Sequence, residues 1–247
     1  MDLAERSATA VVTRHPWELA RARAVVDILE QRHVSPRRIL DVGTGDGFCG
    51  LRVAERFAAE LTAFDPHLTP ELIERFAKPG ATFVRELPPS LDDYDLLLLL
   101  DVIEHVPNDA EFLRGLLSRR SHGSFHVLLT VPAFQSLFTD HDRFLEHHRR
   151  YTLRGLRQAC QGARLNVVAD GYLFSSLLLP RLMGKLTELV RAPRAEARGV
   201  GAWRGGSGVT RAVTAALTFD NELLLGLSRL GVKLPGLSAW ALCEGTT

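Results

Sequence analysis

The chain has 247 residues, 46% of them hydrophobic and 24% charged, which suits one folded α/β unit with a full core and excludes a disordered or fibrous chain. A formal net charge of +1 names no polyanionic partner, and three scattered cysteines (Cys49, Cys160 and Cys243) argue against a disulfide framework and for a reducing compartment. Met1 to Ala10 lacks the apolar core of a signal peptide, and no apolar run approaches the ~18 residues of a membrane span, so a cytoplasmic protein is expected.

Trp17 to Gln31 reads as a helix, with Ala22, Val25, Val26 and Leu29 at helical spacing and Pro16 suited to its start. Arg38 to Val42 is a short buried strand, Gly47 to Ala59 a helix, and Leu61 to Phe64 a second strand. Glu71 to Ala77 is a short helix ended by Pro79-Gly80, and Ala81 to Val84 is a third strand. Tyr94 to Leu100 is the most apolar segment, as expected at the centre of a parallel sheet. Asp109 to Arg119 is a helix, and Phe125 to Val131 a fifth strand stopped by Pro132. Thr152 to Cys160 is a helix with Gly162 as its cap, and Leu165 to Ala169 a sixth strand. Leu173 to Val190 reads as a helix interrupted near Pro180. Arg191 to Gly208 reads as a mobile loop, Thr210 to Leu230 as a helix with room for a break, and Leu237 to Leu242 as the last strand.

Strands separated by helices predict a doubly wound parallel sheet. No internal repeat or linker divides the chain. It is read as one domain, with a helical cap over 1–35, a cofactor half over 36–131 and an acceptor-side half over 132–247 that carries the inserted helices.

The informative stretch is Asp41-Val42-Gly43-Thr44-Gly45-Asp46-Gly47, where a buried strand runs into three alternate glycines and then a helix. Glycines permit tight turns with φ > 0 and let a ligand lie against bare backbone. The helix start offers N–H groups to a carboxylate, while Asp41 at the strand end can face a cation. A ligand carrying both an ammonium and a carboxylate matches, and the methionine part of S-adenosylmethionine (SAM) has both. Asp65 ends the second strand, where doubly wound folds place an acid against ribose hydroxyls about 20 residues past the glycines. A nicotinamide cofactor needs G-x-G-x-x-G, and Phe48 stands at its last position.

These residues resemble the class I SAM-dependent methyltransferases, most closely the ubiquinone-type group, and the resemblance runs from about Arg38 to Leu242. It implies a Rossmann-like seven-stranded, mostly parallel sheet with an antiparallel last strand and helices on both faces. Asp41, Gly43, Thr44, Gly45 and Gly47 match the family's first motif, and Asp65 with Pro66 its ribose-binding segment. Asp101-Val102-Ile103-Glu104-His105-Val106 matches the segment lining the methionine side, with Asp101 and Val102 as cofactor contacts. Glu86 occupies the region of the adenine-contacting acid. The resemblance implies SAM as cofactor and S-adenosylhomocysteine (SAH) as product.

His105 reads as a general base or as a residue that orders its loop. Some relatives place a divalent cation at an acid-x-x-Glu-His run, so a cation stays open here, while no metal ligand set is assigned. After the fifth strand, Asp140-His141-Asp142 and Glu146-His147-His148-Arg149-Arg150-Tyr151-Thr152 bring imidazoles and guanidiniums to the ligand edge. His147 is the other catalytic candidate. Arg150 could pair with Asp142 and brace a lid, or Arg149 or Arg150 could hold an anionic acceptor. A zinc site from His141, His147 and His148 has no regular spacing behind it.

The C-terminal third alternates apolar helices with basic residues such as Arg181, Lys185 and Arg191. This suits a cover over an apolar acceptor or a peripheral membrane contact. The Asn/Asp-Pro-Pro-aromatic turn of nucleic-acid amino-methylating enzymes is missing after the fourth strand, which excludes nucleic acid as the expected partner. The reading is methyl transfer from SAM to a small-molecule or lipid-type acceptor, most often at oxygen. The alternatives are a non-catalytic SAM-binding module and a nicotinamide-dependent oxidoreductase.

Overall fold

The computed structural model describes residues 14–190, 203 and 205–246. A helix, α1 (Pro16–Gln31), precedes the sheet; His15 caps it, accepting from the Trp17 N–H, and the Glu18 carboxylate accepts from the His15 N–H in return. Then follow β1 (Arg38–Val42), α2 (Phe48–Phe57), β2 (Glu60–Phe64), α3 (Pro70–Phe76), β3 (Ala81–Val84), β4 (Leu96–Leu100), α4 (Asp109–Leu117) and β5 (Ser124–Pro132). The second half holds α5 (Asp140–Phe144), α6 (Leu153–Gly162), β6 (Asn166–Leu173), α7 (Leu178–Val190), α8 (Ser207–Arg229) and β7 (Ser238–Thr246).

The seven strands form one sheet in the order β3-β2-β1-β4-β5-β7-β6. The pairs β1–β2, β1–β4, β2–β3 and β4–β5 are parallel, and β7 runs antiparallel to both β5 and β6. The expected fold class is therefore the one observed. Strand order reverses between β1 and β4, so a crevice opens beyond their carboxyl ends, which is where such sheets bind ligands.

Period-two alternation along β4 divides the core between two layers. Leu96, Leu98 and Leu100 face a cluster with Val25, Ile28 and Leu29 of α1, Val53 of α2 and Leu217 and Leu225 of α8. Leu97 and Leu99 face the other, with Leu113 and Leu116 of α4 and Leu153, Leu156 and Cys160 of α6. All five β4 residues are buried, which explains why its sequence runs apolar without alternation.

Three expectations change. Pro180 does not interrupt a helix: α7 begins at Leu178, so the proline sits in the first turn, where its missing N–H leaves no bond unmade. Leu173, expected to open that helix, is instead the last residue of β6. Finally, α8 is unbroken over 23 residues and starts at Ser207, inside the expected loop; the rest of that loop lies almost wholly outside the described residues. No helix among the described residues is long and apolar enough to cross a membrane.

Candidate active site

The turn from β1 into α2 is built on left-handed backbone. Gly43, Gly45 and Gly47 have φ of 70°, 58° and 74°. A Cβ at Gly43 would lie 2.9 Å from Cγ2 of Val102, and one at Gly47 would lie 2.6 Å from Cζ of Phe83. The bare backbone thus lets the segment after β4 and the ring from β3 close in on the turn. The Gly43 and Thr44 N–H groups both donate to the Phe64 carbonyl at the end of β2, 2.8 and 3.0 Å away. Asp65, the next residue, ties the turn down further. Its Oδ2 accepts from the Gly45 N–H at 3.0 Å, and its Oδ1 accepts from the His67 N–H at 2.9 Å. The expected ribose acid is thus also a structural clasp on the glycine turn.

Asp41 is buried at the end of β1, and the Thr44 hydroxyl donates to its Oδ2 at 2.6 Å. Burial pushes its carboxyl up to about 6, against the lowering pull of Thr44 and Arg21. A Cβ at Gly50 would lie 2.5 Å from the same oxygen, so α2 approaches the carboxylate through a glycine. The adjoining cleft holds about 400 Å³ of empty space, its open mouth included, and is lined by Asp41, Gly43 and Thr44 with Glu18, Arg21 and Asp46. Arg14 pairs with Asp46 at 2.5 Å and with Glu18 at 3.5 Å, and Arg21 pairs with Asp101, which leaves Asp41 as the carboxylate of the cleft wall to face a cationic ligand.

Sequence reasoning missed Arg21. It lies on the buried face of α1 and donates to Thr130 Oγ1 at 3.0 Å, and it pairs with Asp101 at 2.9 Å. Burial opposes its charge, but the acidic groups around it, Asp101 foremost, outweigh this and raise its pKa. The signal was a charged i, i+3 pair, Glu18 and Arg21, on the same face as the apolar residues of α1. Asp101 itself has φ of 58°, unusual for a non-glycine, and turns the chain so that Val102 meets Gly43. Pro66 and Glu86 are exposed, Glu86 two residues past β3, and neither lines the cleft.

The segments after β4 and β5 are fastened together. The His148 N–H donates to the Glu104 carbonyl at 2.8 Å, and the Tyr151 hydroxyl reaches Asp109 Oδ2 at 2.8 Å and the Ile103 carbonyl at 3.2 Å. Arg149 is engaged with the Pro107 carbonyl and Asp109, so it is not poised for an anionic acceptor. Arg150 does brace the loop. Its Nε donates to Asp142 Oδ1 at 2.8 Å and its second terminal nitrogen to Oδ2 at 3.1 Å. Asp142 is fully buried and also accepts from Thr139 and Arg181. Burial works against its charge, yet the bonds from His147 and Arg150 hold its carboxyl below the usual carboxylate range. Lys185 of α7 likewise donates to the Ser136 carbonyl. The two described basic residues of α7 thus hold this loop and do not form a free cationic surface.

His147 and His105, the two catalytic candidates, come together edge to face with ring centroids 4.6 Å apart. His147 Nδ1 lies 3.0 Å from Asp142 Oδ1. His148 is exposed, and the cluster of metal-ligating type among the described residues is Glu104, His105 and His147, not His141, His147 and His148. Burial, then the charge of Asp101, pushes the Glu104 carboxyl well above its ordinary value.

A family model for a methyltransferase domain matches residues 16–170. The fold is similar to that of a SAM-dependent methyltransferase from Archaeoglobus fulgidus, with TM-score 0.52 and 13% identity over 91% of this chain and 94% of that one. The (4+2)-cyclase SpnF aligns with TM-score 0.53 and 17% identity over 99% and 90% of the two chains. A geranyl diphosphate methyltransferase solved with GPP and sinefungin aligns with TM-score 0.51 and 14% identity over 92% and 77%. A search of curated proteins returns no significant relative.

Proposed function

The chain belongs to the methyltransferase-domain family, and we propose that it transfers the methyl group of SAM to a small-molecule or lipid-type acceptor, at oxygen. The observation that carries this is the glycine turn: three left-handed glycines clasped by Asp65 beside an acidic cleft at the reversal of strand order. The residues present fit the cofactor. Asp41 would receive its ammonium charge, the first N–H groups of α2 its carboxylate, and Asp65 its ribose hydroxyls. Pro66 and Glu86 stay further out as rim contacts. Bound there, SAM supplies an electrophilic methyl carbon on a cationic sulfur.

The chain's own part is alignment more than chemistry. Arg21, through Asp101 and Thr130, fixes the floor between the turn and the segment after β4. His147, oriented by Asp142, and His105 beside it would take the acceptor's proton as oxygen bonds to the methyl carbon and the sulfur keeps the departing electron pair. The geranyl diphosphate methyltransferase among the solved structures supports a small organic acceptor. The ubiquinone-type likeness of Asp101–Val106 supports oxygen as the methylated atom. SpnF shows that the fold alone does not fix the reaction, so the site residues carry this reading.

Calorimetry with SAH tests it. Wild type binds in the micromolar range, and Asp65→Ala weakens binding by about 10- to 150-fold, the equivalent of one charge-assisted hydrogen bond of about 1.5–3 kcal/mol. No heat of binding in the wild type overturns the proposal. Unchanged affinity in Asp65→Ala removes the ribose role and leaves Asp65 as a clasp.

A further inference from the structure

Glu104 is fully buried, and neither carboxylate oxygen has a hydrogen-bond partner. Folds retain a buried carboxylate where something satisfies it. One ligand atom each from Glu104, His105 and His147 lies within 4.8 Å of the others. The three come from two segments, the turn after β4 and the loop after β5, and the fastening of His148 to the Glu104 carbonyl holds these in register. Asp142 engages Nδ1 of His147, which fixes the ring and leaves Nε2 as the ligand nitrogen. Asp142 is itself fixed by Arg150, Arg181 and Thr139. A carboxylate behind an imidazole is the usual support of a metal-bound histidine.

We propose that Glu104, His105 and His147 bind one divalent transition-metal cation, with Asp142 positioning His147. The set differs from the linear acid-x-x-Glu-His run. Asp101, the first acid of that run, is engaged with Arg21 and Thr130, and the third ligand is instead His147 from the loop after β5. Two imidazoles and one carboxylate suit a first-row transition metal better than Mg²⁺, which prefers oxygen ligands. Three protein ligands leave a position open for a further group. The use of that position rests on the methyl-transfer reading: with the cation bound, an acceptor hydroxyl there would give up its proton to water more readily, and His105 and His147 would serve as ligands in place of the base role they would have without it.

The test is uptake of Co²⁺ and Zn²⁺ by metal-stripped full-length protein, followed by calorimetry and, for Co²⁺, visible absorption. Wild type takes up one equivalent. His105→Ala and His147→Ala each weaken uptake about tenfold or more, and Asp142→Asn weakens it by about 10- to 100-fold. His148→Ala, at an exposed neighbour, leaves uptake unchanged. Thermal unfolding checks each variant, and the near-isosteric Glu104→Gln replaces any that fails to fold. No uptake by wild type, or equal uptake by the His105→Ala/His147→Ala double variant, overturns the proposal. SAH is titrated into the same samples: SAH binding without metal uptake sinks the metal site and leaves methyl transfer standing, while metal uptake without SAH binding does the reverse.

Discussion

Gly47→Ala puts one methyl group where the turn has no room for it, and its cost can be worked from two separate terms. Gly47 has φ of 74° and ψ of 2° at the start of α2, a left-handed conformation that costs an L-residue about 1–2 kcal/mol. The new Cβ would also lie 2.6 and 2.7 Å from Cζ and Cε1 of Phe83. Phe83 is buried and packs against Phe76 with centroids 5.7 Å apart, so its ring has little freedom to retreat, and overpacking of this kind costs about 1–3 kcal/mol. Together the terms predict a loss of about 2–5 kcal/mol, or a Tm lowered by about 4–20 °C in a chain of this size. A double-mutant cycle with Phe83→Leu separates them, measured by urea unfolding. Shortening the ring relieves the contact but not the backbone, so Gly47→Ala in that background costs only about 1–2 kcal/mol, and the coupling is about 1–3 kcal/mol. A single-variant cost below about 1 kcal/mol, or a cycle with no coupling, would refute the account of why this position is glycine.

Two further outcomes follow from the same site. Asp41 holds its proton up to about pH 6 in the empty protein because burial disfavours its charge. A cationic ligand group favours the ionised form, so binding expels that proton; SAH affinity rises with pH to about 6, levels above it and falls by up to about tenfold per unit below. Calorimetry across that range checks this, and an affinity that stays flat through pH 6, or an Asp41→Asn variant with the same slope, removes Asp41 from the ammonium site. Arg150→Ala leaves Asp142 buried with His147, Arg181 and Thr139 as its remaining partners, and a broken buried pair costs about 3–5 kcal/mol. Scanning calorimetry should show Tm lowered by about 6–20 °C, and a fall of under about 3 °C would show that the pair does not hold the loop.

The glycine turn was legible in the sequence because its requirement is local: only glycine takes three alternate left-handed positions without strain, and Asp65 follows at the spacing of one βαβ step. The sheet was legible for a similar reason, since β4 is buried on both faces and reads as a continuous apolar run. What escaped is non-local. Arg21 looked like an ordinary helix residue until Asp101 and Thr130, both far along the chain, were seen to meet it. The five-residue α5 is too short to show a period, and its start depends on Thr139 and Asp142 capping each other. The convergence of Glu104, His105 and His147 depends on two loops meeting, which no spacing within either loop encodes. Pro180 misled because a proline's meaning depends on where its helix begins.

The place of β7 between β5 and β6 sets an order of events during synthesis. β6 touches the sheet only through β7, so when Leu173 is made the strand it ends has no partner to join. The outer edge of β5, carrying Val127, Leu129 and Val131, stays open for the same interval. Chains grow at about 5–20 residues per second, so roughly seventy more residues take about 4–15 s to appear. For those seconds two unpaired strand edges coexist in one nascent chain, and an unpaired apolar edge is a template for pairing with a neighbour. Premature termination before Ser238 would make that transient state permanent. Such truncated chains should partition into aggregates even though every residue of the glycine turn is present in them.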